Sequence, residues 1–434
     1  MFRISFPVRA LTTRDRLLVL LAMLALLAGL GRDGVFAVTA GLRGGLDRPN
    51  GELELAYGAF AFGFYPALVL GGAMVEGLGA SRVLLICGAV LAASCGLSAV
   101  SWSLAVLTLA RLLLGLSFGA LVPAAVAALA PRTPPRERGW AMGIVLAALA
   151  GGGVLAAPLF GLLPDSAWRA GFASLAVLAL GWLLLWRDGF PEQPMTDDEV
   201  PAAAPRLDWR GVAWLVRLPL GLALLQGWGL ALCQDWVPRY LLASWHFDIR
   251  LSSWVTAASG AGLVLGCLIG GFAADRSLNH SGNIRSAHQV VPGLGFMLAA
   301  LSLILLPIGE HEAAIALWLG LALVGLQAAG TLLWVFAIDI GGEHPGVSAG
   351  AVGLGLLLGR LVSPMLLFGL APALPAVLTV TMLVLAGIFS FRLRPHIELP
   401  LRLPPPPEAG ELRDEAADEI DDLLVAAKKA KAGA

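Results

Sequence analysis

LVLGGAMVEG at residues 68–77 and CLIGGFAADR at residues 267–276 carry the same pattern, a glycine pair followed by three small or apolar residues and a carboxylate. Their carboxylates, Glu76 and Asp275, stand 199 residues apart. Other segments repeat at a similar distance. LLLGLSFGALVP at 112–123 resembles ALVGLQAAGTLLW at 322–334, and Pro158 has a counterpart in Pro364. The chain therefore reads as one unit of about half its length, duplicated in the same direction.

What each unit contains follows from hydropathy. With 58% hydrophobic and 14% charged residues over 434 positions, and a mean hydropathy of +0.81, the chain is too apolar for a soluble domain. A helix crossing a hydrocarbon layer of roughly 30 Å needs about 20 mostly apolar residues. Twelve such runs are predicted, at 15–41, 54–75, 82–101, 104–128, 139–163, 170–187, 211–237, 251–274, 288–307, 313–338, 346–370 and 374–392. The fold class is an all-α polytopic membrane protein of twelve transmembrane helices in two six-helix bundles, 1–187 and 211–393.

The segment between the bundles, 188–210, contains PEQPMTDDEVPAAAP. It is acidic and proline-rich without apolar periodicity, so it reads as a cytoplasmic linker. After Arg394 comes a cytoplasmic tail, 394–434, with a PPPP run, an acidic stretch and all three lysines, Lys428, Lys429 and Lys431. Orientation follows from where short loops carry arginine. With the N-terminus inside, Arg3, Arg9, Arg14, Arg16, Arg82, Arg132, Arg136, Arg138, Arg206, Arg210, Arg276, Arg285, Arg392 and Arg394 are expected on the cytoplasmic side, and Arg43, Arg48, Arg169, Arg239 and Arg250 outside. The expectation is N-in and C-in, a multi-pass protein of the cell (inner) membrane. The first run is too long and too charged for a cleaved signal. Cys87, Cys95, Cys233 and Cys267 all fall inside predicted spans, implying neither a disulfide framework nor a metal site.

Charges inside the spans bear on function, because they are expensive in hydrocarbon and normally face a cavity or one another. LLAGLGRDGVFA at 26–37 places Arg32 and Asp33 in the first span; Arg111 lies in the fourth and Arg360 in the eleventh. At a rise of roughly 1.5 Å per residue, Arg32 and Arg360 lie about 22 Å from the cytoplasmic end, and Arg111 about 12 Å from the outer one. All three share one layer. Guanidinium groups grip a carboxylate or phosphate bidentately, so this layer is expected to bind an anion. Adjacent helical residues diverge by about 100°, so Arg32 and Asp33 are expected to face different neighbours. Gln226, Gln234, Gln327 and Ser363 are the scarce polar groups of the second half that could orient a substrate. Trp228 and Trp236 read as packing residues. Asp33 and Asp235 are the carboxylates placed to couple a proton or pair with a cation. Glycine runs at 151–158 and 350–360 bring backbones close, and Pro158 and Pro364 can bend their helices.

These residues resemble the major facilitator superfamily over nearly the whole chain apart from the tail. GGAMVEGLGASR is similar to its signature between helices 2 and 3, here Gly72, Glu76, Gly79 and Arg82. The second copy keeps Gly271, Asp275 and Arg276. Within the superfamily, YGAFAFGFYPALVLGG, ARLLLG, RERGWAMGIVLAALAGGGVLAAPLFGLL and WRAGF resemble the anion:cation symporters, a group of organic-anion transporters. That resemblance implies that Asp33 pairs with Arg111, that Arg32 and Tyr65 meet the substrate, and that the signature residues act as a conformational latch. Two positions depart from it. The family usually writes Asp before Arg in helix 1, and it places a proton-carrying Glu seven residues after the helix 4 arginine, where this chain has Phe118.

The functional expectation is a secondary active transporter for a small organic anion, a carboxylate or sugar acid, working by alternating access and by proton-coupled import. Its predicted substrate-binding residues are Arg32, Tyr65, Arg111, Arg360, Gln226 and Gln327. The lipid bilayer and protons are the other expected partners; the chain is read as a monomer with no cofactor, no metal, no nucleic acid and no enzymatic constellation. Alternatives are a metabolite or drug exporter, and a sensor on a transporter fold, which the absent helix 4 carboxylate and the acidic tail motivate.

Overall fold

Runs of Leu, Ala, Val and Gly become helices in a membrane because each backbone N–H and C=O must find its partner inside the segment. The computed structural model describes residues 13–47, 49–189, 209–237, 241, 249–308, 311–342, 344–367 and 373–393. The long helices are α1 (Thr13–Ala37), α2 (Asn50–Leu78), α3 (Ala80–Ala99), α4 (Leu104–Leu129), α5 (Arg138–Gly161) and α6 (Trp168–Gly189), then α7 (Trp209–Ala231), α8 (Ile249–Ser281), α9 (Ile284–Leu305), α10 (Glu312–Gly341), α11 (Pro345–Leu367) and α12 (Ala373–Ser390). Among the described residues, eleven helices are long and apolar enough to cross a membrane, and a shorter apolar helix covers Leu374–Ser390. The segments 190–208 and 394–434, which contain most of the expected linker and the tail, lie outside the described residues.

Observed helix ends fall within about four residues of the hydropathy boundaries except at α7, whose regular helix ends at Ala231 before a π-helical turn, and at α8, which runs on to Ser281. Apolar content marks where a helix leaves the hydrocarbon; the helix itself continues as long as its polar residues keep the ladder, here through AADRSLNHS. Local caps close other ends. The Ser103 hydroxyl accepts from the Val106 N–H at the start of α4, and Asn283 accepts from the Arg285 N–H at the start of α9.

The helices lie in one compact unit, Met1–Gln193 with Leu215–Glu398. Of a second unit, Pro194–Trp214 with Leu399–Ala434, only residues 209–214 at the start of α7 are described. Duplication is visible in the packing. α1 lies on α5, α2 on α4 and α3 on α6; correspondingly α8 lies on α10 and α9 on α12, while Gly227 and Gly359 bring α7 against α11. The two sets of six meet through α2 against α11 and α5 against α8. Small residues and side-chain hydrogen bonds supply the adhesion that lipid-facing Leu cannot. Ser94 donates to the Ala110 carbonyl at 2.8 Å, Ser117 to the Cys87 carbonyl at 2.7 Å, and the Trp182 indole to the Leu20 carbonyl at 2.7 Å. All four cysteines are buried and free.

Candidate functional site: a charged cavity between the two helix sets

A cavity of about 530 Å³ opens between the sets, lined by side chains of α1, α2, α4, α5, α7, α10 and α11. All eight residues expected in the substrate and coupling groups line it: Arg32, Asp33, Tyr65, Arg111, Gln226, Asp235, Gln327 and Arg360. Ser363 does not; it is fully buried within the packing of α11. Trp228 is likewise a packing residue, donating its indole N–H to Thr379 at 2.8 Å.

The charge pairing differs from the expectation. Asp33 pairs with its neighbour Arg32, not with Arg111: Arg32 Nε and Nη2 donate to the two carboxylate oxygens at 2.8 and 2.6 Å. The Cα–Cβ bonds do diverge, but the long arginine stem sweeps back across one residue step and delivers its fork to the short aspartate. Gly153 of α5 makes room, since a methyl there would land on the Asp33 carboxylate. Arg111, 2% exposed, donates instead to the carbonyls of Gly31 and Arg32 at 2.9 and 2.8 Å. It ties α4 to α1 at the turn that carries the ion pair. Each guanidinium also lies over an aromatic ring, Arg32 5.3 Å from Phe118 and Arg111 5.4 Å from Phe60. Phe118 therefore backs Arg32 at the position where the resemblance places a carboxylate.

Across the cavity, Arg360 of α11 donates to Gln234, which sits in a π-helical turn, Leu232–Trp236, continuing α7. That wide turn also carries Asp235, and both residues line the cavity; such turns are frequent at functional sites. Gln226 donates to the Leu326 carbonyl and to Gln327 Oε1 at 3.3 and 3.2 Å, leaving its own buried Oε1 without a partner. Gly330 of α10 provides the space for this amide. Sequence reasoning missed Tyr57, Thr331, Trp334 and the phenylalanines Phe60 and Phe64, all in the lining. Tyr57 had a legible signal, because it lies two i, i+4 steps before Tyr65 and so on the same helix face.

Beyond Leu68, the last α2 residue of the lining, the repeated motifs hold the two sets together. Gly72 of α2 and Gly346 of α11 approach so closely that a side-chain carbon on either would collide with the other's carbonyl, and Gly139 and Gly271 do the same between α5 and α8. Four residues beyond each motif glycine, on the same helix face, comes the carboxylate. Glu76 accepts from the Gly346 N–H at 2.7 Å and lies 2.9 Å from His344 Nδ1. Asp275 accepts from the Gly139 and Trp140 N–H groups at 2.9 and 2.7 Å. Each set of six thus caps the N-terminus of a helix in the other, satisfying donors that a helix cannot satisfy itself. Gly79 of the signature takes a φ of 82°, a left-handed turn that favours glycine, whereas Arg82 and Arg276 are exposed. Beside these contacts, Arg138 of α5 pairs with Asp339 of α10, and Asp339 also meets His288 of α9 at 2.6 Å. No spacing in the sequence signals that group.

A twelve-helix duplication with a charged cavity at the interface of its halves is the architecture of a transporter, and the chain belongs to the Major Facilitator Superfamily, whose family profile matches residues 21–364. It is similar to a probable sulfoacetate transporter of Cupriavidus necator, 26% identical over 374 residues, covering 81% of this chain and 86% of that protein. A probable chloroplastic anion transporter of Arabidopsis thaliana is 25% identical over 347 residues, covering 74% and 67% of the respective chains. Among solved structures, the human organic anion transporter MFSD10 superposes with a TM-score of 0.68 at 19% identity, over 88% of this chain and all of that one. The transporter FucP in its outward conformation gives 0.68 at 12% identity, over 88% and 100%. At these identities the structural neighbours speak for the fold.

Proposed function

We propose that the protein imports a small organic anion, a carboxylate or sugar acid, through the cell (inner) membrane by alternating access coupled to protons. The carrying observation is the gathering of Arg32, Arg111 and Arg360 with Asp33 and Asp235 in one cavity between the two halves. Supporting it are the printed names of the relatives, which include a probable sulfoacetate transporter and probable anion transporters. In this reading the bundles 1–187 and 211–393 rock about the cavity, joined by the linker 188–210, with the tail 394–434 outside the moving body. With both termini inside, the motif end is cytoplasmic, and Glu76 and Asp275 are the latches that hold it shut.

The roles follow from the partners. Arg360, whose partner Gln234 is neutral, offers a free positive charge to the anion. Arg111 contributes charge from behind while bracing α1; Tyr65, Gln226 and Gln327 orient the substrate. Arg32 is already matched by Asp33. An anion that takes Arg32 displaces that carboxylate, and in this reading the displaced Asp33 is the group that carries the coupled proton. Release of the anion on the other side lets Arg32 re-pair, and the proton leaves Asp33. Coupling then needs no carboxylate at Phe118.

Thermal denaturation of the purified protein with sulfoacetate, glucuronate, benzoate and phosphate tests this reading. A ligand of the folded state raises Tm according to RT ln(1 + [L]/Kd). A rise with at least one organic anion that disappears in Arg32→Ala is expected; unchanged shifts in the variant would remove Arg32 from the site.

A further inference from the structure

The body of the cavity, as distinct from its charges, narrows the substrate. One face of α2 presents Tyr57, Phe60, Phe64 and Leu68 to the cavity at helical spacing. Phe60 and Phe64 stack with centroids 5.6 Å apart and planes 13° from parallel. Phe118 of α4 meets both edge-on, at 5.5 and 5.6 Å, and Tyr65 lies 5.1 Å from Phe64. The result is an aromatic shelf with the Arg32 and Arg111 guanidiniums over two of its rings. Facing it are Trp334, Leu230, Leu356 and Leu357.

Polar groups in the second half are few, and several are committed. Gln226 Nε2 is used by Leu326 and Gln327, and Gln327 Nε2 lies 3.5 Å from Cys267 Sγ. The Thr331 hydroxyl donates to the Gln327 carbonyl, and Gln234 Oε1 accepts from Arg360. A polyhydroxylated sugar acid would bring many donors and acceptors into a lining whose amides are engaged with one another, leaving chiefly the arginines, the tyrosine hydroxyls and Asp235 to meet them, and an unpaired buried polar group costs binding energy. A flat apolar body avoids that cost. Aromatic faces prefer to pack offset or edge-on against other rings at centroid distances like those within the shelf.

We propose that the cavity selects an anion with a flat aromatic body, an arene carboxylate or arene sulfonate, whose ring packs against Phe60, Phe64 and Phe118 while its acidic group is taken by the arginines. The proposal rests on the anion-transport reading above and narrows it from a small organic anion in general to one with an aromatic body. The test is thermal-shift titration of the full-length protein with benzoate, benzenesulfonate, cyclohexanecarboxylate, acetate and glucuronate. Wild type and two variants, Phe64→Leu and Arg32→Ala, are compared, with each variant's fold checked by its unliganded Tm.

Benzoate or benzenesulfonate is expected to bind at least tenfold more tightly than glucuronate or acetate, and several-fold more tightly than the puckered cyclohexanecarboxylate. Phe64→Leu, which keeps apolar bulk but removes the flat face, is expected to erase the preference over cyclohexanecarboxylate. Whichever of the two arene anions binds more tightly identifies the acidic group. Equal or tighter binding of glucuronate, or an unchanged arene preference in Phe64→Leu, overturns the aromatic assignment and leaves anion transport standing. If no anion binds, the anion-transport reading falls and this inference with it; if Arg32→Ala binds all of them as wild type does, Arg32 leaves the site and the assignment of the acidic group to it is overturned.

Discussion

Arg32 and Asp33 show how far single residues can be read. Their presence in an apolar run singled them out, since a charged pair at membrane depth needs a reason, and both line the cavity between the helix sets. The partner was misassigned because helical angular spacing fixes Cβ directions but not the reach of a four-carbon stem. Arg32→Lys is expected to weaken anion binding by tenfold or more, because a point charge cannot offer an anion the two parallel bonds that the guanidinium fork makes, as it now does to Asp33; a binding titration checks it. Gly153→Ala places a methyl where the Asp33 carboxylate sits. Overpacking of this kind costs about 1–3 kcal/mol, and it is expected to appear as a lower Tm together with lost anion binding. Arg111→Gln removes two buried bonds from a charged donor. At about 1.5–3 kcal/mol each, this variant is expected to be the least stable of the three in chemical denaturation.

At the scale of elements, the duplicated Gly-Gly-acid motif was legible as a repeat, and its physical meaning emerged only with the helices assembled. The sequence does not say that the glycine and the carboxylate four residues on address the same partner helix, nor that α2 chooses α11 and α8 chooses α5. Losing a side-chain cap costs about 0.5–2 kcal/mol locally. In hydrogen exchange, Glu76→Ala is therefore expected to deprotect the first turn of α11 and leave α5 unchanged, while Asp275→Ala does the reverse. Equal protection in both variants would mean that the carboxylates latch nothing. The aromatic shelf was missed for a related reason. Phe at i and i+4 in an apolar helix looks the same whether it faces lipid or a cavity, and only the position of α4 decides.

For the molecule as a whole, the number of helices, their approximate ends, the two-fold duplication and the gathering of three distant arginines were all readable from hydropathy, repeat distance and depth. The Arg138, Asp339 and His288 group was not, because it joins three helices through contacts that no local pattern encodes. The central claim is that anion binding at Arg32 frees Asp33 to carry a proton during import. It is tested most directly in proteoliposomes containing a lumenal pH dye, with anions added outside. Sulfonates are the informative arm, because they stay ionised and do not cross the lipid as neutral acids. Benzenesulfonate or sulfoacetate is expected to acidify the lumen with wild type and to do so in neither Arg32→Ala nor Asp33→Asn. An anion that binds but moves no proton, or acidification that persists in Asp33→Asn, would contradict the account.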